Sequence, residues 1–246
     1  MIPPKKKIYN TFASFSLKSE ILKAIDELGF VTPTPIQKKV IPHLLSSKQD
    51  LIASAQTGTG KTAAFALPLL QSIDFNNKNV QILVLCPTRE LCIQISKDLI
   101  NYSKYLQKIN IVPIYGGARI DNQMRGLKKK PQIVIGTPGR TTDLLRRKKL
   151  ILDKINYLIL DEADEMMSMG FKDDLESIID SSNKTKQTLL FSATMTKKVE
   201  FVTKKYMKQS LDISVGVKNK GADNIEHILY VVHAKHRYEV VKRIAD

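Results

Sequence analysis

Short apolar runs recur along most of the chain, separated by longer stretches whose apolar positions have helical spacing. The runs occupy residues 51–54, 82–86, 111–114, 132–136, 157–161 and 188–192. Consecutive apolar positions are typical of strands buried on both faces, and their alternation with helices is typical of a parallel sheet. We therefore predict an α/β fold, with a mostly parallel β-sheet flanked by helices on both faces.

Helices are predicted before the first of these strands and after the last. Residues 17–28 have helical periodicity, with Gly29 as the C-cap, and a second helix is expected to begin near Thr34-Pro35. A further helix is predicted over 196–208. The stretch that follows, 214–224, contains few large apolar residues, so it is predicted to be a linker.

Composition narrows the class of protein. With 246 residues, of which 43% are hydrophobic, the chain can bury a core and is expected to fold as a globular protein. No segment approaches the ~20 consecutive apolar residues that a membrane span needs, so we expect a cytoplasmic protein without a membrane segment. Cys86 and Cys92 are too few for a disulfide framework or a zinc site.

The chain is strongly basic, with 39 Lys and Arg against 24 Asp and Glu and a formal net charge of +15. The excess is concentrated in three clusters, at 5–7, 128–130 and 146–149. Such clusters indicate a polyanionic partner such as nucleic acid, although a solvated surface would give the same pattern. Charge alone does not separate RNA from DNA or from an acidic protein.

The first apolar run is followed by AQTGTGKT, residues 55–62, at the start of a predicted helix. This resembles the phosphate-binding loop G-x-x-x-x-G-K-[ST], with Ala55 in place of the first glycine. Glycines let backbone N–H groups surround phosphates, Lys61 supplies a positive charge, and Thr62 offers a hydroxyl to Mg²⁺. The predicted nucleotide contacts are Ala55, Gln56, Thr57, Gly58, Thr59, Gly60, Lys61 and Thr62.

Four carboxylates follow the apolar run YLIL, within residues 161–165. A phosphate-binding loop needs an acidic group at the end of a neighbouring buried strand to hold the metal, and Asp161 has that position. Glu162 is then a candidate base for the attacking water. Glu165 fits an ordinary solvated helix start, where negative charge favours the helix dipole. The predicted catalytic residues are Lys61, Asp161 and Glu162, with Thr62 and Asp161 holding Mg²⁺ partly through water.

Residues 161–164 read D-E-A-D, and together with AQTGTGKT they resemble the DEAD-box RNA helicases. The resemblance continues in PTREL at 87–91, in Gly116-Gly117, in TPGR at 137–140 and in Ser192-Ala193-Thr194. It implies a RecA-like lobe that uses ATP and Mg²⁺ to bind and locally unwind RNA, with little sequence preference. The RNA contacts that it implies are Pro87, Thr88, Arg89, Gly116, Gly117, Thr137, Pro138, Gly139 and Arg140.

The segment from Gly29-Phe30 to Gln37 is similar to the family's adenine-recognising Q motif, with Phe12 at the upstream aromatic position. The resemblance implies that Gln37 pairs with the adenine edge, that Phe12 stacks on the ring, and that Phe30 belongs to the same site. Two alternatives stay open. Thr34 to Gln37 is also a helix capping box with proline at the first helical position, and Phe12 could be a core aromatic.

Three further residues resemble the contacts by which the family couples ATP to RNA: Asp164, Ser192 and Thr194. Asp164 would face a second lobe, and the hydroxyls would lie behind the γ-phosphate. Ser192 and Thr194 would equally suit a strand end followed by a helix N-cap. Arg89 would equally suit an ion pair with Glu90 or Asp161.

The resemblance also implies four segments: an N-terminal extension with the Q motif at 1–38, the ATP-binding RecA-like domain at 39–212, a linker at 213–222, and the first strand and helix of a C-terminal lobe at 223–246. The motifs of that second lobe are absent from the sequence. We therefore expect residues 1–246 to hydrolyse little ATP alone, and we expect a monomer. The alternatives are a DNA-directed helicase of the same superfamily and a non-catalytic nucleic-acid adaptor.

Overall fold

The computed structural model describes residues 9–215 and 228–245. Within them, parallel strands form one sheet in the order β3-β4-β2-β5-β6-β1-β7. The strands are β1 (Leu51–Ser54), β2 (Ile82–Leu85), β3 (Ile111–Ile114), β4 (Ile133–Gly136), β5 (Tyr157–Leu160), β6 (Gln187–Ser192) and β7 (Leu211–Ser214).

All six predicted strands form, each within one residue of its predicted bounds, so the parallel α/β fold is confirmed. The strand β7 was not predicted. It pairs with β1 at one edge of the sheet, and Ile213 is its only buried side chain. Because β7 continues to Ser214, the predicted start of the linker at 213 is too early. Most of that linker, from residue 216 onwards, lies outside the described residues.

The described residues contain ten α-helices: α1 (Ser19–Glu27), α2 (Pro35–Ser46), α3 (Lys61–Gln71), α4 (Arg89–Tyr102), α5 (Ile120–Leu127), α6 (Pro138–Arg146), α7 (Ala163–Ser168), α8 (Lys172–Asp180), α9 (Lys197–Tyr206) and α10 (Arg237–Ala245). Short 3-10 helices occupy Phe12–Phe15 and Ala234–His236. Gly29, two residues after α1, has a φ of 76°, a conformation that glycine adopts without strain. None of these helices combines the length and apolarity of a bilayer span.

Alternate residues of the strands β1 to β6 pack into two separate cores. On β1, for example, Ala53 packs into one cluster and Ile52 into the other. The first cluster includes the α3 side chains, and the second includes those of α7 and α8. Burial on both faces explains why the strands are apolar at consecutive positions.

The described residues fall into two compact units, 9–215 and 228–245. In the first, the N-terminal segment belongs to the main core, since Phe15 and Ile21 are buried in the same cluster as β1. In the second, residues 228–233 have no regular secondary structure and α10 follows, so the expected helix forms there. The expected strand is not formed in residues 228–233, and the described part of this unit, 228–245, contains no other strand with which it could pair. Its first part lies outside the described residues.

The sheet order divides the first unit in two. We call β5, β6, β1 and β7 the β1 side, and β3, β4 and β2 the β3 side. This division decides which predicted site residues come together, because ligands in parallel sheets bind at the carboxyl ends of the strands.

Candidate functional site

The predicted site residues that follow a strand all lie at the carboxyl edge of the sheet, and they separate into two groups. On the β1 side lie the loop 55–60 after β1, the acidic residues after β5, and Ser192 to Thr194 at the end of β6. On the β3 side lie the segments that follow β2, β3 and β4. Motifs that are interleaved along the chain are thereby sorted in space.

The loop after β1 has the backbone of a phosphate cradle. Gly58 and Gly60 have φ values of 77° and 86°, and Gly60 is the N-cap of α3. Ala55 is buried and does not have a positive φ. Its backbone conformation is therefore unstrained, which explains why no glycine is needed there. Its N–H donates to the Ser192 carbonyl at 3.1 Å, so the loop is fixed to β6.

The remaining predicted loop residues line the outside of this turn. Gln56 and Thr57 are exposed, and the Thr59 hydroxyl donates to the Gln56 carbonyl at 2.8 Å. Thr62 is half-buried in the first turn of α3. The loop therefore presents backbone groups and small polar side chains to solvent.

Lys61 and Asp161 place opposite charges in the interior of the β1 side. Lys61 is 6% exposed, and its Nζ donates to the Ala55 carbonyl at 3.2 Å. Asp161 is 3% exposed, at the end of β5. Burial raises the pKa of Asp161 to about 6, although the charge of Lys61 acts to lower it. A buried carboxylate beside a buried ammonium suits the binding of a phosphate and a divalent cation.

Glu162 has a strained backbone. Its φ of 53° lies in the left-handed region, which costs a non-glycine residue on the order of 1–3 kcal/mol. Its N–H donates to Asp161 Oδ1 at 3.1 Å, and the residue is the N-cap of α7. This turn leaves the Glu162 side chain half-exposed next to the buried Asp161. Strain of this kind is concentrated at functional sites.

Asp164 joins the acidic turn to the end of β6. Its Oδ2 accepts hydrogen bonds from both the N–H and the hydroxyl of Thr194, each at 2.8 Å. The Ser192 hydroxyl donates to the Thr194 carbonyl at 2.7 Å. Partial burial acts to raise the pKa of Asp164, but the hydrogen bonds from Thr194 outweigh it and lower the pKa below its usual value. The three residues predicted to act in coupling are thus one connected network.

Gln37 connects α2 to the phosphate-binding loop. It makes the glutamine half of the predicted capping box, in which the Thr34 N–H donates to Gln37 Oε1 at 2.8 Å, whereas Thr34 Oγ1 is buried without a hydrogen-bond partner in the described residues. Its Nε2 donates to the Gly60 carbonyl at 3.1 Å. A Cβ on Gly60 would lie 2.5 Å from that nitrogen, so the loop needs glycine there for space as well as for φ. The cap therefore positions Gln37 directly beside the loop.

Phe12 and Phe30, the aromatic residues predicted for the adenine site, pack against each other with ring centroids 5.7 Å apart. Phe12 is 5% exposed and also contacts Phe15, at 6.0 Å. Phe12 is therefore a core aromatic in the structure, which was the alternative left open by the sequence. An open cavity of about 520 Å³ nevertheless borders both Phe12 and Phe30.

On the β3 side, Arg89 begins α4 directly after its N-cap Thr88, whose hydroxyl accepts the Leu91 N–H at 3.2 Å. The Arg89 guanidinium lies over the Tyr115 ring, 5.2 Å from its centroid. A Cβ added to Gly117 would lie 3.9 Å from Arg89 Nη1, so the guanidinium is adjacent to the glycine pair. In the described residues Arg89 makes no ion pair with Glu90 or Asp161, so that alternative is not formed.

Arg140 lies in α6, and its side chain is bound to the loop after β3. Its two terminal nitrogens donate to the Ala118 carbonyl at 3.3 and 3.2 Å, and Nη1 also donates to Gln123 Oε1 at 3.0 Å. Gln123 is buried, and its amide exchanges hydrogen bonds with the backbone of Tyr115 at 3.2 and 3.0 Å. Gln123 therefore fixes both the loop and the arginine.

The other β3-side residues surround these arginines. Pro138 begins α6 after its N-cap Thr137, and both are buried, as is Pro87. Gly116, Gly117 and Gly139 are exposed. The result is an open surface with glycines at its exposed positions, where another backbone can approach closely.

Sequence reasoning missed Tyr115 and Gln123. Tyr115 directly precedes the glycine pair, but a single aromatic there is not distinguishable from a core residue. Gln123 occupies a buried position on the amphipathic helix α5. A polar glutamine on the apolar face of a helix could have indicated a residue with a role beyond packing. Both act through residues that are distant in sequence.

The donor set on the β1 side fits a hydrated Mg²⁺. No cluster of three or more His, Cys, Asp or Glu side chains that could hold a metal exists in residues 9–215 and 228–245. Mg²⁺ retains water and takes one or two carboxylates together with phosphate oxygens, so Asp161 and the Thr62 hydroxyl are a sufficient protein contribution. The same residues fit a nucleoside triphosphate as the source of the phosphates.

Comparison with known proteins agrees with this arrangement. The sequence profile of the DEAD/DEAH box helicase family matches residues 34–202. The chain is 45% identical over 236 residues to the ATP-dependent RNA helicase DeaD of Haemophilus influenzae, and 46% identical over 235 residues to the ATP-dependent RNA helicase CshA of Listeria monocytogenes. Each match covers 96% of the chain.

A solved structure gives the same result. The crystal structure of a DEAD box protein from the hyperthermophile Methanococcus jannaschii superposes with a TM-score of 0.82 at 42% identity, covering 96% of this chain and 63% of that one. The chain spans only 38% and 45% of the two helicases above, so it corresponds to less than half of their length.

Proposed function

This chain belongs to the DEAD/DEAH box helicase family, and on that premise we propose that it is the ATP-binding RecA-like lobe of an ATP-dependent RNA helicase. The observation that supports this most directly is the burial of Lys61 and Asp161 together at the carboxyl ends of β1 and β5, beneath a loop fixed by Gly60 and Gln37. Such a pair is costly to bury for structure alone.

In this proposal the β1 side binds ATP and Mg²⁺. Lys61 gives its charge to the phosphates, and the loop N–H groups surround them. Thr62 and Asp161 would hold the metal, which would supply positive charge against the charge that develops on the phosphates. Glu162, half-exposed beside Asp161, orients and deprotonates the attacking water. Gln37, held by its capping box, recognises the adenine, with Phe12 and Phe30 at the border of the adenine site.

The β3 side binds the RNA backbone in the same proposal. Arg89 and Arg140 contact phosphates through planar guanidinium groups, and the exposed glycines let the backbone approach. Such contacts carry no sequence information. The network of Asp164, Ser192 and Thr194 lies beside the phosphate loop, because β6 neighbours β1, and it would transmit the nucleotide state.

The test is a titration of residues 1–246 with a fluorescent ADP, with Mg²⁺ and then with chelator. We expect Mg²⁺-dependent binding. A labelled RNA and a DNA of the same sequence are titrated in parallel, and tighter binding of RNA is expected. Failure to bind nucleotide would leave only a nucleic-acid adaptor, and tighter binding of DNA would favour a DNA-directed helicase.

A second measurement assigns the base. Single-turnover ATP hydrolysis with excess protein detects slow chemistry. Glu162→Gln should retain nucleotide affinity and slow hydrolysis, because the carboxylate that activates water is lost while Asp161 is unchanged. An unchanged rate would exclude Glu162 from that role.

A further inference from the structure

A cluster of lysines lies at the amino ends of the β3-side strands, on the edge of the sheet opposite the proposed site. The lysines surround an open cavity of about 460 Å³: Lys78, Lys108, Lys128, Lys129 and Lys130. They come from three separate segments, which precede β2, β3 and β4. We call these five residues the amino-edge lysines.

The floor of this cavity is built from fixed polar groups. Gln132 is buried, and its Oε1 accepts the Asn110 N–H at 3.0 Å. The Asn110 side chain in turn donates to the Lys129 carbonyl at 3.2 Å. These bonds hold the segments before β3 and β4 together, so the lysines from different segments are kept near one another.

The positive charge of the cluster has no counterpart within the described residues. No acidic side chain lines the cavity, and none of the ion pairs there uses an amino-edge lysine. A smaller neighbouring cavity of about 230 Å³ shares Lys78 and Lys130 and adds Lys149, together with aliphatic side chains such as Leu150 and Ile151. Lysines 128–130 follow the end of α5, where cations favour the helix dipole, but this does not account for Lys78, Lys108 or Lys149.

The side chains that line the larger cavity favour the binding of phosphates over the binding of a protein surface. The larger cavity is lined only by lysine, asparagine and glutamine, with no aromatic or aliphatic side chain. A protein partner would be expected to find an apolar centre, and stacked bases would require aromatic rings. Flexible ammonium groups without either are suited to contact a phosphate backbone regardless of sequence.

The helix α5 connects this surface to the proposed RNA site. It begins at Ile120, shortly after Gly117 at the carboxyl edge, and ends at Leu127, directly before Lys128 at the amino edge. Arg119 and Arg125 are exposed along this path. Asp121 is an exposed acidic residue on the same helix. Thr137 and Lys130 lie at opposite ends of β4, seven positions apart, or roughly 20 Å in extended chain.

We propose that the amino-edge lysines are a second RNA contact, which binds the phosphates of a strand that continues from Arg140 along α5. The proposal rests on the RNA-binding function above and extends it. It makes a specific statement about length: RNA that fills only the carboxyl edge does not reach the lysines, whereas a longer strand does.

The experiment compares two triple variants with equal loss of charge. The test variant is K108Q/K128Q/K129Q. The control variant changes exposed lysines that are scattered elsewhere, K154Q/K184Q/K198Q. Binding of labelled oligoadenylates, whose bases stack within a single strand, is measured for lengths of about 4 and about 25 nucleotides by anisotropy over a series of salt concentrations, and circular dichroism confirms that each variant is folded. At about 3.4 Å per stacked nucleotide, only the longer strand spans both edges.

For the longer RNA, the test variant should bind more weakly than the control, and its slope of log affinity against log salt should be smaller by about 2, since each lost contact removes about 0.7. The short RNA should bind both variants alike.

Equal slopes for the two variants with the longer RNA, or equal losses for short and long RNA, would overturn the second contact while leaving the main function intact. If the unaltered chain binds neither RNA, the proposed function itself fails. A polyglutamate that binds equally well, with the same loss in the test variant, would overturn RNA as the partner.

Discussion

The two sides of the carboxyl edge use charge in opposite ways. On the β1 side, Lys61 and Asp161 are almost completely buried. On the β3 side, Arg89 is exposed and Arg140 is half-buried, and the buried groups are the neutral ones that hold them, such as Gln123. One side holds its charges out of water, and the other leaves its charges in contact with water.

This difference follows from what each side would bind. A nucleotide is small and can be enclosed, and a charge pair away from water is screened little by salt. An RNA strand is long and would lie on an open surface, where contacts are screened by salt and each contributes little. Substitutions on the β1 side should therefore have large, salt-insensitive effects, and those on the β3 side smaller, salt-sensitive ones.

The largest effect is expected from Lys61→Ala. Removing the buried cation should weaken ADP affinity about 30-fold, or about 2 kcal/mol, as for loss of a charged hydrogen bond. Fluorescent-ADP titration measures it, with Lys154→Ala as the exposed control. An affinity like that of the control, or a loss that disappears at high salt, would contradict the contrast between the two sides.

Substitutions of Gly58 and Gly60 form a matched pair whose effects on the free energy of unfolding can be compared. Gly58→Ala meets nothing within 4 Å and introduces only backbone strain, about 1 kcal/mol. Gly60→Ala adds a Cβ 2.5 Å from Gln37 Nε2, so the strain and the lost hydrogen bond together should lower the free energy of unfolding by about 2 kcal/mol. Urea denaturation of the two variants compares them. Equal losses would mean that Gln37 does not constrain the loop.

On the β3 side, Gln123→Met keeps the size of a buried side chain and removes its hydrogen bonds to Tyr115 and Arg140. The arginine then loses its position, and RNA affinity should fall about fivefold, or about 1 kcal/mol. Gln94→Met, on the exposed surface of α4, is the control. The loss should shrink as salt is raised. A loss as large as that of Arg140→Ala at every salt concentration would show that Gln123 does more than position the arginine.

The smallest effect is expected from Asp164→Asn, which removes the charge that accepts two bonds from Thr194. The free energy of unfolding should fall by about 1 kcal/mol or less at neutral pH. Because the pKa of Asp164 is lowered in the folded state, this contribution is complete above the ordinary carboxyl pKa and is lost as the pH falls through the lowered value. The difference between variant and unaltered chain should therefore shrink on acidification. A difference that grows towards low pH would refute the assignment.

The strands could be predicted from the sequence because burial on both faces makes each one a continuous apolar run. The strand β7 could not, since at the sheet edge only Ile213 is buried and the other positions are free to be polar. The spatial order of the strands was equally inaccessible. It depends on pairings such as Leu51 with Leu189, which no local pattern encodes.

The site followed the same division. The phosphate loop and the acidic pair were recognisable because each acts through neighbours in sequence. The contacts of Gln37 with Gly60, of Gln123 with Arg140 and of Asp164 with Thr194 join distant segments. For Gln37, the structure shows the contact with Thr34 and the position beside the loop, and the pairing with adenine stays a prediction.

The position of β1 inside the sheet also determines when the nucleotide loop can acquire its structure during synthesis. Leu51 pairs with Leu189 and Leu211, which lie 138 and 160 positions later, whereas Ile82 and Ile111 both pair with Ile133. On a ribosome, which delivers the chain from its N-terminus, the β3-side strands can associate while β1 still has no partner. The loop is thus translated early and completed late, and the nucleotide binding proposed for it would become possible only once β6 and β7 have been made.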